Sequence, residues 1–141
     1  MNCPFCMILR EQQDRIIRQT EYTFTVLSDP RLMSGHLLVI PKKHAEKFSE
    51  LVREERYELF DETVRWEEIV LRDIASGCDI SQHYRPFIPQ SKLKIDHLHI
   101  HIRPREFEDE LYRKVQVHEK DVFAALSEDE LRKFSALLSD K

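Results

Sequence analysis

Apolar positions along the chain fall into short blocks whose period changes from block to block. Residues 7–19 are polar and glycine-free, with Ile8, Leu9, Ile16 and Ile17 at helical spacing, which predicts a short helix. Tyr22-Thr23-Phe24-Thr25-Val26-Leu27 is β-branched and aromatic, a predicted strand. Turn residues follow at Ser28-Asp29-Pro30 and Ser34-Gly35, and a second strand at residues 36–40 ends at Pro41, so the two strands can pair as a hairpin. Ser49 reads as the N-cap of a long helix. In that helix Tyr57, Phe60, Val64, Leu71 and Ile74 recur three, four or seven residues apart and predict its buried face, with Gly77 as the C-terminal stop. Residues 79–84 form a weak strand pattern, and residues 85–94, which include Pro86 and Pro89, a loop. Residues 97–103 predict the fourth strand, stopped by Pro104. The charged stretch 106–120 has no clear period. Ser127-Glu128-Asp129-Glu130 is a capping box for a final helix at about residues 128–139, carrying Leu131, Phe134, Leu137 and Leu138.

The pattern of residues 97–103 raises a chemical question. A strand's side chains alternate faces, so His97, His99 and His101 share one face and Leu98, Ile100 and Ile102 the other. The aliphatic face can pack on the long helix. Histidines about 6.6 Å apart along the strand can serve different parts of one ligand. One use is a metal. Another is phosphate chemistry, with a neutral imidazole as nucleophile and its neighbours donating to the developing charge. The plain alternative is a polar surface strand, for which three histidines at alternate places are an odd choice.

Composition narrows the field. A chain of 141 residues is sized for one domain and can bury a real core. The net charge of −4 argues against gripping nucleic acid over a broad face. The apolar run Leu37 to Ile40 is far too short for a membrane span. Met1-Asn2-Cys3-Pro4 shows no basic segment followed by an apolar one, so the expectation is a cytoplasmic protein. Two glycines in the whole chain exclude a glycine-rich phosphate loop. Three cysteines are an odd count for a disulfide framework. Cys3-Pro4-Phe5-Cys6 reads equally as half a zinc site or as two small semi-buried residues, while a redox motif lacks its preceding strand.

His97-Leu98-His99-Ile100-His101-Ile102 resembles the signature of the histidine triad (HIT) family of nucleotide hydrolases and transferases. The block from Ser34 to His44, with Gly35-His36-Leu37-Leu38-Val39-Ile40-Pro41-Lys42-Lys43, is similar to that family's other strong motif. The likeness covers roughly residues 3–105 of a single HIT-like domain. Residues 106–141 lie beyond it as a C-terminal extension that could cover the pocket or widen a dimer interface. The resemblance implies an α+β fold, an antiparallel sheet of about five strands with a long helix packed on one face. It implies that His99 attacks the α-phosphorus of a purine nucleotide substrate, a nucleoside phosphoramidate or a dinucleoside polyphosphate. A nucleotidyl-histidine intermediate forms and water then cleaves it, with His101 and His36 contacting the phosphate oxygens. Histidine at 101, where the uridylyltransferase branch has glutamine, resembles the hydrolases. The family's zinc-containing members imply a structural Zn(II) on Cys3, Cys6, His44 and His97, with no catalytic metal required, and the family implies a homodimer.

Two places depart from the family pattern. Ser28, with Asp29 beside it, stands where an Asp or Asn usually meets the ribose. Pro89-Gln90-Ser91-Lys92 replaces a Gly-Gln-Ser or Gly-Gln-Thr segment at the leaving group, so Gln90 and Ser91 are candidate counterparts. Arg85, Lys92 and Lys94 add positive charge for a polyphosphate tail or form a solvated basic loop. Arg103 and Arg105 are phosphate contacts or surface charge. His83 and His118 read as lone surface residues, Trp66 as packing or a dimer contact, and Cys78 as a small core residue. Two other readings stay open. One is a nucleotide-binding regulatory or scaffold protein with negligible turnover. The other is a zinc-dependent hydrolase that uses the triad itself as its metal site.

Overall fold

Alternation along the predicted strands is realised as one antiparallel sheet in a computed structural model that describes residues 2–115 and 122–139. The elements are α1 (Pro4–Glu11), β1 (Ile16–Gln19), β2 (Thr23–Leu27), β3 (Leu37–Pro41), α2 (Arg53–Asp73), β4 (Gly77–Ser81), β5 (Ile100–Arg105), α3 (Glu110–Val115) and α4 (Glu128–Leu138). The strand order is β1-β2-β3-β5-β4. The fold is therefore α+β with five strands, as expected. The β2–β3 hairpin pairs Phe24 with Ile40 and Val26 with Leu38. β3 then pairs β5, with Leu38 opposite His101.

Each face of the sheet has its own core. Leu37, Val39, Leu98, Ile100 and Ile102 meet Leu59, Trp66 and Val70 of α2 on one face. Phe24, Val26, Leu38 and Ile40 meet Cys3, Phe5 and Ile8 of α1 and its entry on the other. The aliphatic side of the triad segment thus packs on the long helix, and the histidine side looks toward α1.

Several predicted boundaries move, each for a physical reason. Residues 7–19 are not one helix. The helix starts at Pro4 with Cys3 as N-cap, whose sulfur accepts from the Cys6 amide. It ends at Glu11, and Ile16 begins an edge strand paired to Val26. Ser49 lies in a 3-10 turn, Phe48–Glu50; α2 starts at Arg53, with the Val52 N–H donating to Glu55 Oε1 at 2.8 Å. Gly77 opens β4 rather than stopping α2. A Cβ there would come within 3.3 Å of the Arg105 carbonyl oxygen. β4 therefore precedes the predicted 79–84. Pro104 does not stop β5: it pairs with Cys78, where β3 no longer reaches and only β4 continues the ladder.

The largest difference is the face of α2. Its buried residues are Glu55, Leu59, Glu62, Thr63, Trp66 and Val70. Tyr57, Phe60, Val64, Leu71 and Ile74, expected inside, are exposed. The inward polar groups have partners on the sheet: Glu62 takes the Arg18 guanidinium at 3.0 Å, and the Trp66 indole N–H donates to Thr25 Oγ1 at 2.9 Å. A polar group so paired costs little to bury, so polarity did not mark the outer face. The capping box of α4 forms as expected, with the Glu130 amide on Ser127 Oγ at 3.1 Å, yet Leu131, Phe134, Leu137 and Leu138 are all exposed. α3 fills part of the uncharacterised charged stretch; His118 lies outside the described residues.

Candidate active site and metal centre

Two backbone features bring the histidines together. Gly35, at φ +81, turns the chain into β3, and a Cβ there would meet Pro104 Cγ at 3.2 Å, so only glycine suits this turn. His36 follows immediately, 3% exposed. The Leu98 amide donates to the Ala45 carbonyl, fixing the segment before β5 against the β3–α2 connection.

Hydrogen bonds decide which nitrogen of each ring carries a proton. His99 Nδ1 lies 2.7 Å from the His97 carbonyl oxygen, which can only accept. Nδ1 is therefore the N–H, and Nε2 keeps its lone pair. Burial is the main cause that lowers the pKa of His99 below its ordinary value, so the ring is neutral at pH 7. Phe5 holds it edge-on, with ring centroids 5.0 Å apart. His36 Nδ1 accepts from the Leu32 amide at 3.2 Å, so its proton sits on Nε2, 3.0 Å from His101 Nδ1. His101 Nδ1 then accepts, and its Nε2 carries the proton. Burial, with smaller contributions from neighbouring cations, holds His36 at about 4 and His101 at about 3. One imidazole thus offers a lone pair and its neighbour an N–H, 4.7 Å apart between ring centres.

Both groups line an open cleft of about 370 Å³. Its apolar part is Phe5, Ile8, Leu32 and Leu38; its cations are Arg15, Arg31, Arg85, Lys92 and Arg103, with Asp29 the carboxylate on its wall. Ser28, Asp29 and Lys92 therefore stand where the sequence expected substrate contacts. The Ser28 hydroxyl, however, donates to the Pro30 carbonyl at 2.8 Å and serves the turn. Gln90 and Ser91 are not on the cleft wall. The Gln90 amide bridges the Asn2 carbonyl and the Asp96 N–H at 3.0 Å each, and Ser91 Oγ accepts from the Leu93 amide. Both tie the loop to itself and to the N-terminal segment. Lys94 pairs with Asp96 and is likewise diverted. Both ring nitrogens of His36 are engaged, one by the Leu32 amide and one by His101 Nδ1.

Some cleft residues gave no clear sequence signal. His83, read as a lone surface histidine, lines the cleft with its ring 5.6 Å from that of His101. Arg15, Arg31 and Phe5 sit far from the triad in sequence and are brought in by the sheet. Phe5, inside the CxxC motif, was the one such residue placed next to a recognised feature.

The remaining triad histidine points elsewhere. His97 Nε2 donates to the Pro41 carbonyl at 2.8 Å, which leaves a lone pair on Nδ1. That Nδ1 lies 3.2 Å from Cys3 Sγ, 3.6 Å from Cys6 Sγ and 3.1 Å from His44 Nδ1. Cys6 Sγ is 3.5 Å from His44 Nδ1, and all four donor atoms lie within 4.8 Å of one another. Tetrahedral zinc with two sulfur and two nitrogen ligands needs donor separations of about 3.3–3.8 Å. The set therefore fits such an ion, and the bond from His97 to Pro41 is the outer-shell anchor such ligands use. Burial and then Cys3 push the Cys6 thiol up to about 11, against a smaller opposing pull from the Arg10 charge. Among the described residues this is the one cluster of three or more metal-ligating side chains. The triad nitrogens do not converge on a common point, against the reading of the triad as a zinc site.

Comparison with known proteins agrees with this architecture. The HIT domain profile matches residues 9–108. An uncharacterised HIT-like protein of Methanocaldococcus jannaschii is 27% identical over 128 residues, 89% of this chain and 97% of its own length. The crystal structure of a HIT family member from Bacillus subtilis superposes with a TM-score of 0.73 at 23% identity, over 100% of this chain and 97% of that one. A zinc-bound histidine triad family protein from Mycobacterium smegmatis gives a TM-score of 0.64 at 25% identity, over 79% of this chain and 80% of the other. With the profile spanning most of its length and the histidine row leading into β5 between β3 and β4, the chain belongs to the HIT domain family.

Proposed function

We propose that the protein is a nucleotide phosphohydrolase that cleaves at the α-phosphate through a nucleotidyl-His99 intermediate. The substrate class is a nucleoside phosphoramidate or a dinucleoside polyphosphate. The observation that carries the proposal is the His99 ring. Its Nδ1–H is held by the His97 carbonyl at 2.7 Å, which leaves Nε2 unprotonated in a cation-lined cleft. The Nε2 lone pair forms a bond to phosphorus while the bond from phosphorus to the leaving group breaks; the leaving group departs with the electrons of that broken bond, and an amine leaving group takes up a proton from solvent as it goes. Water then attacks the same phosphorus, the P–Nε2 bond breaks, and a nucleoside monophosphate is released. The His101 Nε2–H donates to a non-bridging oxygen as charge builds there. His36 is a positioning residue that sets the His101 tautomer. Phe5, Ile8 and Leu32 suit a flat purine base, and Asp29 is available to the ribose hydroxyls.

The second part of the proposal is that Cys3, Cys6, His44 and His97 hold a structural Zn(II). A zinc ion there would tie the N-terminal segment to the start of the triad strand. It would also fix the His97 carbonyl that orients His99, so its role in the reaction is indirect. The third part is a homodimer, supported by the exposed stripe Tyr57, Phe60, Val64 and Leu71 on α2.

The test is steady-state hydrolysis of adenosine 5′-phosphoramidate and diadenosine tetraphosphate by wild type and His99→Asn, with and without a chelator. Fold is followed by circular dichroism. The expected result is AMP release by wild type only, unaffected by chelator in a protein that stays folded. Binding of AMP without turnover of either substrate would instead favour the regulatory reading.

A further inference from the structure

The row of side chains facing the cleft does not end with the third histidine. Arg103 is two residues beyond His101 on the same face of β5, and it lines the cleft with His36, His99 and His101. Its Nε is buried and has no acceptor among the described residues. The reason is local. Asp79 stands opposite Arg103 across the β4–β5 ladder, yet Asp79 Oδ2 bonds Arg105 Nη1 at 2.5 Å. Asp109 also turns to Arg105, at 2.6 Å. Arg105 thus takes both nearby carboxylates, and Arg103 is left a partly desolvated cation without an ion-pair partner among the described residues. A guanidinium so placed is costly to the fold unless something else accepts from it.

The charge of the whole cleft points the same way. Arg15, Arg31, Arg85, Lys92 and Arg103 face one carboxylate, Asp29. One reacting phosphate with an uncharged leaving amine would balance little of that excess. The lone pair of His99 and the N–H of His101 already define where the reacting phosphorus sits. Arg103 begins about 6.6 Å further along the strand, at the distance from the triad where the rest of a phosphate chain would lie. A planar fork of N–H donors is matched to phosphate oxygens.

We propose that Arg103 is a phosphate-binding residue that selects substrates whose leaving group itself carries phosphate. The inference rests on the phosphohydrolase reading of the same cleft and deepens it: the leaving group is a nucleoside phosphate or polyphosphate, not an amine. Arg103 is a specificity residue in this account, and its role does not depend on how the leaving bond is broken.

The experiment compares wild type with Arg103→Leu, Arg103→Gln and Arg103→Lys. Binding of inorganic tripolyphosphate and of AMP is measured by calorimetry, and turnover of diadenosine triphosphate and adenosine 5′-phosphoramidate by kcat and KM. The expected result is that Arg103→Leu and Arg103→Gln weaken tripolyphosphate at least tenfold more than they weaken AMP. The same two variants lower kcat/KM for the triphosphate at least tenfold more than for the phosphoramidate, chiefly through KM, and Arg103→Lys recovers part of each loss. Thermal stability of the two neutral variants should match or exceed that of wild type, because a partly desolvated cation with an unsatisfied Nε has been removed; a structural arginine would give the opposite. Tripolyphosphate binding that is absent in wild type, or unchanged in both neutral variants, overturns the proposal, as does an equal loss on the two substrates. Absence of turnover in wild type with tripolyphosphate binding still governed by Arg103 would instead sink the hydrolase reading and leave the anion site standing.

Discussion

At the residue scale, His99 and His101 each have one ring nitrogen committed and one to spare, while both nitrogens of His36 are engaged. His99 donates its Nδ1–H to the His97 carbonyl and keeps a lone pair on Nε2, whereas His101, accepting from His36 at Nδ1, presents an N–H on Nε2. A His36→Asn variant should therefore lower kcat at least about tenfold with little change in KM, since it acts through the His101 tautomer and not on substrate. The pH dependence follows from burial. His36 is held at about 4 and His101 at about 3, both below the value of about 6.5 expected in the unfolded chain. Between these values the unfolded chain binds more protons, so the stability that depends on keeping these rings neutral is complete above pH 6.5 and is lost as pH falls toward 4. The melting temperature should be flat from pH 7 to 8 and decline below pH 6.5; a decline beginning above pH 7 would contradict the assignment. This row was legible in the sequence because strand alternation alone puts the three histidines on one face. The hydrogen bonds that hold Gln90 and Ser91 within their loop were not legible, because sequence shows proximity to the triad but not which way a side chain bonds. His83 was missed because a loop carries no period to say where it points.

At the element scale, α2 shows what periodicity can and cannot settle. The helix carries two apolar stripes, and the one richer in large residues is the exposed one. Leu59, Trp66 and Val70 face the sheet together with Glu55, Glu62 and Thr63, and pattern alone could not foresee that Arg18 and Thr25 would satisfy their polar neighbours. The two faces should respond oppositely to mutation. Trp66→Ala should cost about 3–5 kcal/mol in chemical denaturation, through lost packing and an orphaned Thr25 hydroxyl. Phe60→Asp, at a position 67% exposed, should cost under about 0.5 kcal/mol in the monomer but shift sedimentation from dimer to monomer. Equal destabilisation by both, with no change in association, would count against the exposed stripe as a contact surface. The hairpin and capping-box signals transferred with small shifts, because turn and cap residues act locally. Strand β1 was hidden because Ile16 and Ile17 continue the helical spacing of α1 by coincidence.

At the scale of the whole molecule, the sheet joins two centres through one residue pair. His97 faces the Cys3, Cys6 and His44 cluster with its ring, and its carbonyl orients His99 two residues later. Zinc content measured on the purified chain should be one ion per chain, lost in Cys6→Ser together with at least about 5 °C of melting temperature. A wild-type protein that carries no zinc and loses no stability in that variant would contradict the structural-zinc proposal. No helix among the described residues is long and apolar enough to cross a membrane. The family and the five-strand architecture were legible from two motif blocks in the right order. The link between the Cys3, Cys6, His44 and His97 cluster and His99 was foreseen only as a ligand set, since the shared carbonyl is a property of the backbone. The central claim is the covalent intermediate on His99. The measurement that tests it most directly is rapid acid-free quenching of wild type with substrate labelled at the α-phosphate, followed by peptide mapping. The account predicts an acid-labile nucleotidyl label on the peptide containing His99, formed and lost at rates compatible with turnover and absent from His99→Asn. Undiminished turnover by His99→Asn, or turnover by wild type with no label on the chain, would show that water attacks the phosphorus directly and would contradict it.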